Sequence, residues 1–234
     1  MTDCGCRGHH DRPQLVVVTG GPGAGKTALL EIVRQHVCRH VLVLPEAAGV
    51  VYGGGFPRRD GDNWRRAAQR AIFYVQRELE RAALAESGAA LVLCDRGTLD
   101  GTAYWPGGAR AWAEDLGVDM EAELARYAAV IHLRTPPATT YNHRNPLRIE
   151  DALTAHAIDE LIAGVWMPHP HHLMIESTPR FLAKIEKGVA AIEKQLPACC
   201  RVGVPQLAGR IQPTRGIDDA GPRRPDSPAE LQDG

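Results

Sequence analysis

The chain has 234 residues, 44% of them apolar and 24% charged, with a formal net charge of −1. That length suits one α/β domain with a full core plus tails, and hardly two domains. Near-neutrality excludes a general electrostatic pull toward nucleic acid or an anionic membrane, and no apolar run approaches the roughly 20 residues that span a bilayer.

Residues 1–12 are polar and lack the apolar segment of a secretory signal, so the expectation is a flexible N-terminal segment on a cytoplasmic protein. Cys4 and Cys6 with His9 and His10 offer only a C-x-C spacing and no second cluster, which is weak evidence for a metal. Residues 15–19 form a β-branched run that stops at glycines, the pattern of a buried strand. A helix is expected from 26 to about 38, with Leu29, Leu30, Val33 and Val37 on one face. Cys38 ends it and reads as a small core residue. Residues 41–44 are a second strand, stopping at Pro45 and Glu46. The stretch 53–57, three glycines followed by Phe56 and Pro57, reads as a mobile loop.

A long helix is expected from about 62 to 86, ending at Ser87 and Gly88. A third strand over 90–94 contains Cys94, read as another core residue, and stops at Asp95, Arg96 and Gly97. Two short helical patterns, 109–116 and 119–127, precede a fourth strand at 129–133. Residues 135–148 are polar and broken by proline, so they read as a loop or lid. Residues 149–165 are helical, 172–175 form a fifth strand, and 179–196 form a closing helix with Pro179 near its start. Alternating strands and helices argue for a parallel sheet covered on both faces. The domain is expected to span 13–197. Residues 198–234, rich in Pro, Gly, Arg and Asp without periodicity, are expected to be disordered.

Between the first strand and helix, Gly20-Gly21-Pro22-Gly23-Ala24-Gly25-Lys26-Thr27 satisfies the whole G-x-x-x-x-G-K-[ST] pattern. Its glycines let backbone amides turn toward phosphate, and the helix N-terminus, with Ala28 in its first turn, adds positive potential. Lys26 is expected on the terminal phosphates and the Thr27 hydroxyl on Mg²⁺. Fold and loop together predict a P-loop NTPase: a three-layer α/β/α sandwich around a mainly parallel five-stranded sheet. The Lys-Thr pair argues against a Rossmann dinucleotide site.

Ligands of such sheets lie at the carboxyl ends of the strands. Asp95 is there, expected to hold the Mg²⁺ hydration shell or else to cap a turn. Arg96 beside it suits contact with phosphate or substrate. Glu46 either takes the proton of an acceptor hydroxyl, or holds the metal through water, or is a solvated loop residue. Arg134, His143, Arg144 and Arg148 lie in or beside the lid segment, where positive charge serves a transferring phosphoryl group; which of them acts is not legible. Arg58, Arg59, Arg65 and Arg66 read as a solvated basic face, with an anionic substrate as the alternative. His169, His171 and His172 resemble a metal cluster by composition, but Pro170 and the strand at 172 work against convergence.

Several stretches resemble one family. They are the phosphate loop with its strand, Leu44 to Ala48, Arg70 to Gln76, Cys94 to Gly101, and Tyr141-Asn142 with Asn145 to Glu150. The family is that of AAA-type P-loop ATPases related to the nicotinamide riboside kinase domain of NadR-type proteins, and the likeness spans residues 15–196. The stretches at 95–101 and 145–148 are more specific than the loop. The resemblance implies a nucleoside-kinase-like core using Mg²⁺ and ATP, with GTP open, and not a ring-forming remodeller. It carries Lys26, Thr27, Asp95 and Arg96 over by position, Glu46 and the lid arginines less directly, and gives Asp100 a contact to acceptor or metal. The expected function is a small-molecule kinase for a nucleoside-like acceptor, or a related ATPase. The alternative is a regulatory ATP- or GTP-binding module that acts on a protein partner.

Overall fold

Alternate residues of the first strand face opposite sides of the sheet, and every one from Leu15 onward is buried. In a computed structural model of the chain, which describes residues 10, 12–36, 38–85, 88–137, 152–178 and 180–201, this strand, β1 (Gln14–Thr19), is the centre of a five-stranded sheet. Its partners are β2 (Val41–Leu44), β3 (Leu91–Asp95), β4 (Ala129–Leu133) and β5 (His172–Ile175), in the order β2-β3-β1-β4-β5. All four pairings are parallel.

Val16 and Val18 pack on one face with Leu29, Leu30 and Val33 of α1 (Lys26–His36) and Ile185, Val189 and Ile192 of α7 (Phe181–Gln195). Leu15 and Val17 pack on the other face with Phe73 of α3 (Asp62–Ala85), Trp112 of α4 (Gly108–Leu116) and Ile158, Ile162 and Trp166 of α6 (Ala152–Trp166). The short α5 (Met120–Ala125) is capped by Asp119, whose carboxylate accepts from the amides of Glu121 and Ala122. Burial of both faces in β1, β3 and β4 makes period 2 invisible there and leaves mainly apolar runs, whereas Leu173 and Met174 of the edge strand β5 are exposed.

The five strands and the helices α1 and α3 to α7 fall where the periodicity puts them, within three residues at every described end. Two elements differ. Residues 47–53 form a helix, α2 (Ala47–Gly53), so Gly53 ends a helix and the loop starts at Gly54. Ala, Val and Tyr supply the helical stretch, and Gly55, at φ +94°, supplies a turn that other residues rarely adopt. Thr98–Tyr104 is a 3-10 segment whose Leu99, Asp100 and Thr102 are buried. Beyond α7, Cys200 closes a 3-10 turn (Ala198–Cys200) and is part of the core. Among the described residues no helix is long and apolar enough to cross a membrane. Cys4, Cys6, His9, His143, Arg144 and Arg148 lie outside the described residues.

Candidate functional site

Parallel register brings the expected residues to one edge. Val18 pairs with Asp95, Leu44 with Cys94 and Thr19 with His132. The loop after β1, Glu46 after β2 and Asp95-Arg96 at the end of β3 therefore share the carboxyl end of the sheet. They line one cavity of ≈ 740 Å³, together with Gln69, Ile72 and Phe73 of α3 and Tyr104.

Gly20, Gly23 and Gly25 have φ of 134°, 76° and 97°. A Cβ on Gly20 would sit 2.0 Å from the Leu133 carbonyl oxygen, so close packing on β4 requires glycine there as well. Lys26 Nζ donates to the Gly20 and Gly21 carbonyls at 2.8 and 3.1 Å, which folds the side chain back over its own loop. Burial, then the nearby Arg96 charge, lowers its pKa from 10.5 to about 8. Thr27, Ala28, Pro22 and Ala24 line the same cavity.

Asp95 is largely buried, and among the described residues its Oδ1 has no hydrogen-bond partner. Burial raises its pKa, partly offset by the Lys26 charge. A desolvated carboxylate oxygen beside a hydroxyl-bearing loop is a donor set suited to a hard divalent cation, so Thr27 and Asp95 fit Mg²⁺.

Arg96 is not a free cation. Its Nε donates to Glu46 Oε1 at 2.6 Å, and its Nη1 reaches Asp100 Oδ2 at 3.3 Å and the Gly20 carbonyl at 3.4 Å. Its own backbone sits at φ +72°, a conformation that costs a non-glycine residue about 1 kcal/mol or more. The amide of Arg96 donates to Val18 O and its carbonyl accepts from Gln76 Nε2, which holds that conformation. Glu46 precedes α2 without capping it, because its carboxylate is turned to Arg96. Burial raises the Glu46 pKa, but the Arg96 charge and hydrogen bond outweigh this and hold it below its ordinary value.

Asp100 lines the cavity and is held by three hydrogen bonds. Thr19 Oγ1 donates to Oδ2 at 2.5 Å and Trp166 Nε1 to Oδ1 at 2.7 Å, alongside Arg96. It therefore positions Arg96 and ties the 3-10 segment to β1 and α6. Gly97 permits this, since a Cβ there would lie 2.5 Å from the Trp166 ring. Behind it Thr98 Oγ1 donates to Glu123, and its amide donates to Tyr127 Oη, which in turn donates to the fully buried Glu80 at 2.8 Å.

A second set of residues holds the loop from the other side, and sequence reasoning missed it. Asp159, fully buried on α6, accepts from the Gly21 amide at 2.7 Å, from the Thr135 amide at 3.1 Å and from His132 Nε2 at 2.9 Å. Arg134 pairs with the same carboxylate at 3.1 Å and with Glu160, so it braces the loop and does not reach the cavity as a lid residue. Lys184 of α7, 2% exposed, donates to the carbonyls of Ala24, at 2.7 Å, and Arg134. The available signal was a charge on an otherwise apolar stripe: Asp159 follows Ile158 and Lys184 precedes Ile185. Of the basic face, Arg58 lies over the Tyr52 ring at 3.9 Å and lines the cavity, while Arg59 stacks on Trp64. His169, His171 and His172 do not converge: His169 Nε2 contacts the Tyr127 carbonyl, its Nδ1 accepts from the His171 amide, and among the described residues none of the three joins a metal-like cluster.

An all-parallel sheet with a glycine loop, a buried lysine and an acid on the adjacent strand end defines a P-loop NTPase domain. The family model of an AAA domain matches residues 15–181, most of the chain, and the protein belongs to that family. No match is found among curated proteins. Among solved structures, thymidylate kinase from Candida albicans is similar with a TM-score of 0.53 and 12% identity, over 80% of this chain and 92% of that one. The likeness is one of fold.

Proposed function

We propose that the protein is a Mg-ATP-dependent small-molecule kinase whose acceptor is a nucleoside-like alcohol. The observation that carries this is that one cavity joins the phosphate loop to the polar and aromatic side chains of Glu46, Gln69, Phe73 and Tyr104. The resemblance of the motifs at 95–101 and 145–148 to NadR-type riboside kinase domains and the fold likeness to a thymidylate kinase support this reading.

In this reading the loop amides and Lys26 hold the triphosphate, and Thr27 and Asp95 hold Mg²⁺, which neutralises phosphate charge when bound. Glu46 orients the acceptor hydroxyl. Its low pKa makes it a weak base, which suits a loose transition state in which positioning and charge stabilisation dominate. Arg96, held by Glu46 and Asp100, keeps that carboxylate in place and adds positive potential near the Gly20 carbonyl. Arg144 and Arg148 are the lid residues proposed to meet the transferring group. The test is ADP formation across a nucleoside and metabolite panel. Turnover that rises with one acceptor class supports the kinase; tight ATP or GTP binding with turnover indifferent to every acceptor sinks it and favours a regulatory module.

Two outcomes follow from the electrostatics. Glu46→Gln keeps the shape but loses the charge facing Arg96, so kcat should drop by about 10²-fold with little change in ATP affinity. A kcat within threefold of the parent would remove Glu46 from the acceptor site. Nucleotide affinity should also fall as pH rises. Lys26 in the free protein deprotonates near pH 8, and the bound triphosphate favours its charged form. Above that pH, binding takes up a proton and affinity declines by up to about tenfold per pH unit. Isothermal titration between pH 7 and 9.5 in buffers of different ionisation enthalpy measures both the slope and the proton.

A further inference from the structure

At the opposite end of the sheet from the phosphate loop, cysteines and histidines that are distant in sequence meet. Cys38 and His40 flank the tight turn between α1 and β2, closed by the Val41 amide donating to the Cys38 carbonyl. That turn is fixed to the neighbouring strand, because the His40 carbonyl accepts from the amides of Ala90 and Leu91. Cys200 arrives from the other terminus on the turn after α7. Arg201 holds that turn by donating to the carbonyls of Leu196 and Lys194 at 2.7 and 3.0 Å. His10 arrives from the N-terminal side, its ring 5.1 Å from that of His40.

The distances between possible ligand atoms are those of a coordination shell. Cys38 Sγ lies 3.9 Å and Cys200 Sγ 3.7 Å from His40 Nδ1, and Cys200 Sγ lies 3.7 Å from His10 Nε2. The ligand atoms of Cys38, His40 and Cys200 all lie within 4.8 Å of one another, and all three residues are buried. Tetrahedral zinc, with Zn–S near 2.3 Å and Zn–N near 2.0–2.1 Å, places its ligands roughly 3.6 Å (N to S) to 3.8 Å (S to S) apart. A contraction of a few tenths of an ångström closes Cys38, His40 and Cys200 on one ion, while His10, 3.7 Å from Cys200 Sγ but not within 4.8 Å of the whole trio, has to swing further inward to supply the fourth ligand.

We propose that Cys38, His40, Cys200 and His10 form a structural Zn²⁺ site that joins the two ends of the domain to the start of β2. Charge selects these four. Two thiolates and two neutral imidazoles balance a dication, so a buried site carries no net charge. Cys199, exposed, forms a second close group with His10 and Cys200, its Sγ 4.0 Å from both His10 Nε2 and Cys200 Sγ, but it would add a third thiolate and is left outside the proposed set. Nitrogen and sulfur donors with no carboxylate choose zinc over magnesium or calcium. Binding releases the two thiol protons and draws the C-terminal turn onto β2. None of this depends on the reaction proposed for the phosphate loop.

The test uses the full chain, purified with reduced thiols, and Zn²⁺ alone as the probe. One zinc per chain is expected, with a Kd at or below about 1 nM by chelator competition, and with Cys38 and Cys200 shielded from alkylation until the metal is removed. Cys200→Ala and His40→Ala should each weaken binding at least a hundredfold, and Cys199→Ser by less than threefold. Circular dichroism and melting curves separate loss of ligand from loss of fold, and the alkylation pattern of the unaltered chain needs no variant. Failure of the unaltered chain to retain or take up zinc overturns the proposal. So does a Cys38–Cys200 disulfide in the freshly isolated protein. Binding that survives Cys200→Ala but vanishes in a Cys4→Ser, Cys6→Ser double variant also overturns it, because the ion then belongs to the N-terminal cysteines.

Discussion

Lys26→Ala should weaken ATP binding by at least about 100-fold and lower acceptor-dependent ADP formation by roughly 10³-fold or more. The reasoning starts from burial. Lys26 is 8% exposed in the cavity wall, where Asp95, Glu46 and Asp100 favour its charge and burial and Arg96 oppose it. Without nucleotide, its ammonium is satisfied by the Gly20 and Gly21 carbonyls. Turning it toward phosphate oxygens exchanges those neutral acceptors for charged ones, which adds ion–ion attraction in a desolvated site where charges are weakly screened. Alanine removes the charge but leaves the loop glycines, whose amides retain some affinity. Binding should therefore suffer less than turnover. Lys26→Arg tests geometry against charge: the guanidinium keeps the charge but does not fit a pocket sized for an ammonium. Measured turnover near the parent's in Lys26→Ala would place the chemistry elsewhere in the fold.

Most of the fold could be read from the chain because the central strands are buried on both faces. Residues 15–18, 41–44 and 91–94 are unbroken apolar runs of strand length and 129–133 is interrupted only by His132, with Gly, Pro, Asp or Arg within two residues of each carboxyl end. The short helix α2 was hidden by its own punctuation. Two of its seven residues are glycines, Gly49 and Gly53, with Gly54 and Gly55 immediately after, and that density outweighs the helical bias of the alanines. The site was legible to the extent that chemistry sits at strand ends, where order along the chain fixes place. Glu46, Asp95 and Arg96 could be put on one edge that way. What Arg96 binds could not be read, because Glu46 is 50 residues away and Asp100 reaches it only through the 3-10 segment. The bracing set was equally invisible. Asp159 meets Gly21 across 138 residues, and a single acid in a helix has no pattern to mark it.

Asp159→Ala should be the most damaging single change outside the cavity. The carboxylate takes hydrogen bonds from two backbone amides and one imidazole and pairs with Arg134, all at a position with no exposure. Removing it leaves those donors and a cation without their acceptor, a defect worth about 3–5 kcal/mol. In a domain of this size that is a fall in Tm of roughly 10 °C. Nucleotide affinity should fall too, because Gly21 loses the bond that holds its peptide plane. A Cβ at Gly21 would meet Asp159 Cβ at 2.7 Å, so the fit between loop and helix is tight enough to transmit the loss. The pH dependence gives an independent check. Burial pushes the Asp159 pKa up, but the His132 and Gly21 hydrogen bonds outweigh it and lower the value from 3.8 to about 2. A depressed carboxylate contributes its full share above pH 3.8 and loses it as pH falls toward 2. That share is about 2 kcal/mol. Asp159→Asn, which cannot ionise, should melt lower than the parent at pH 7 and close much of the gap near pH 2. Parallel melting curves with a constant gap over that range would mean that the carboxylate carries no charge-dependent share of the loop's stability.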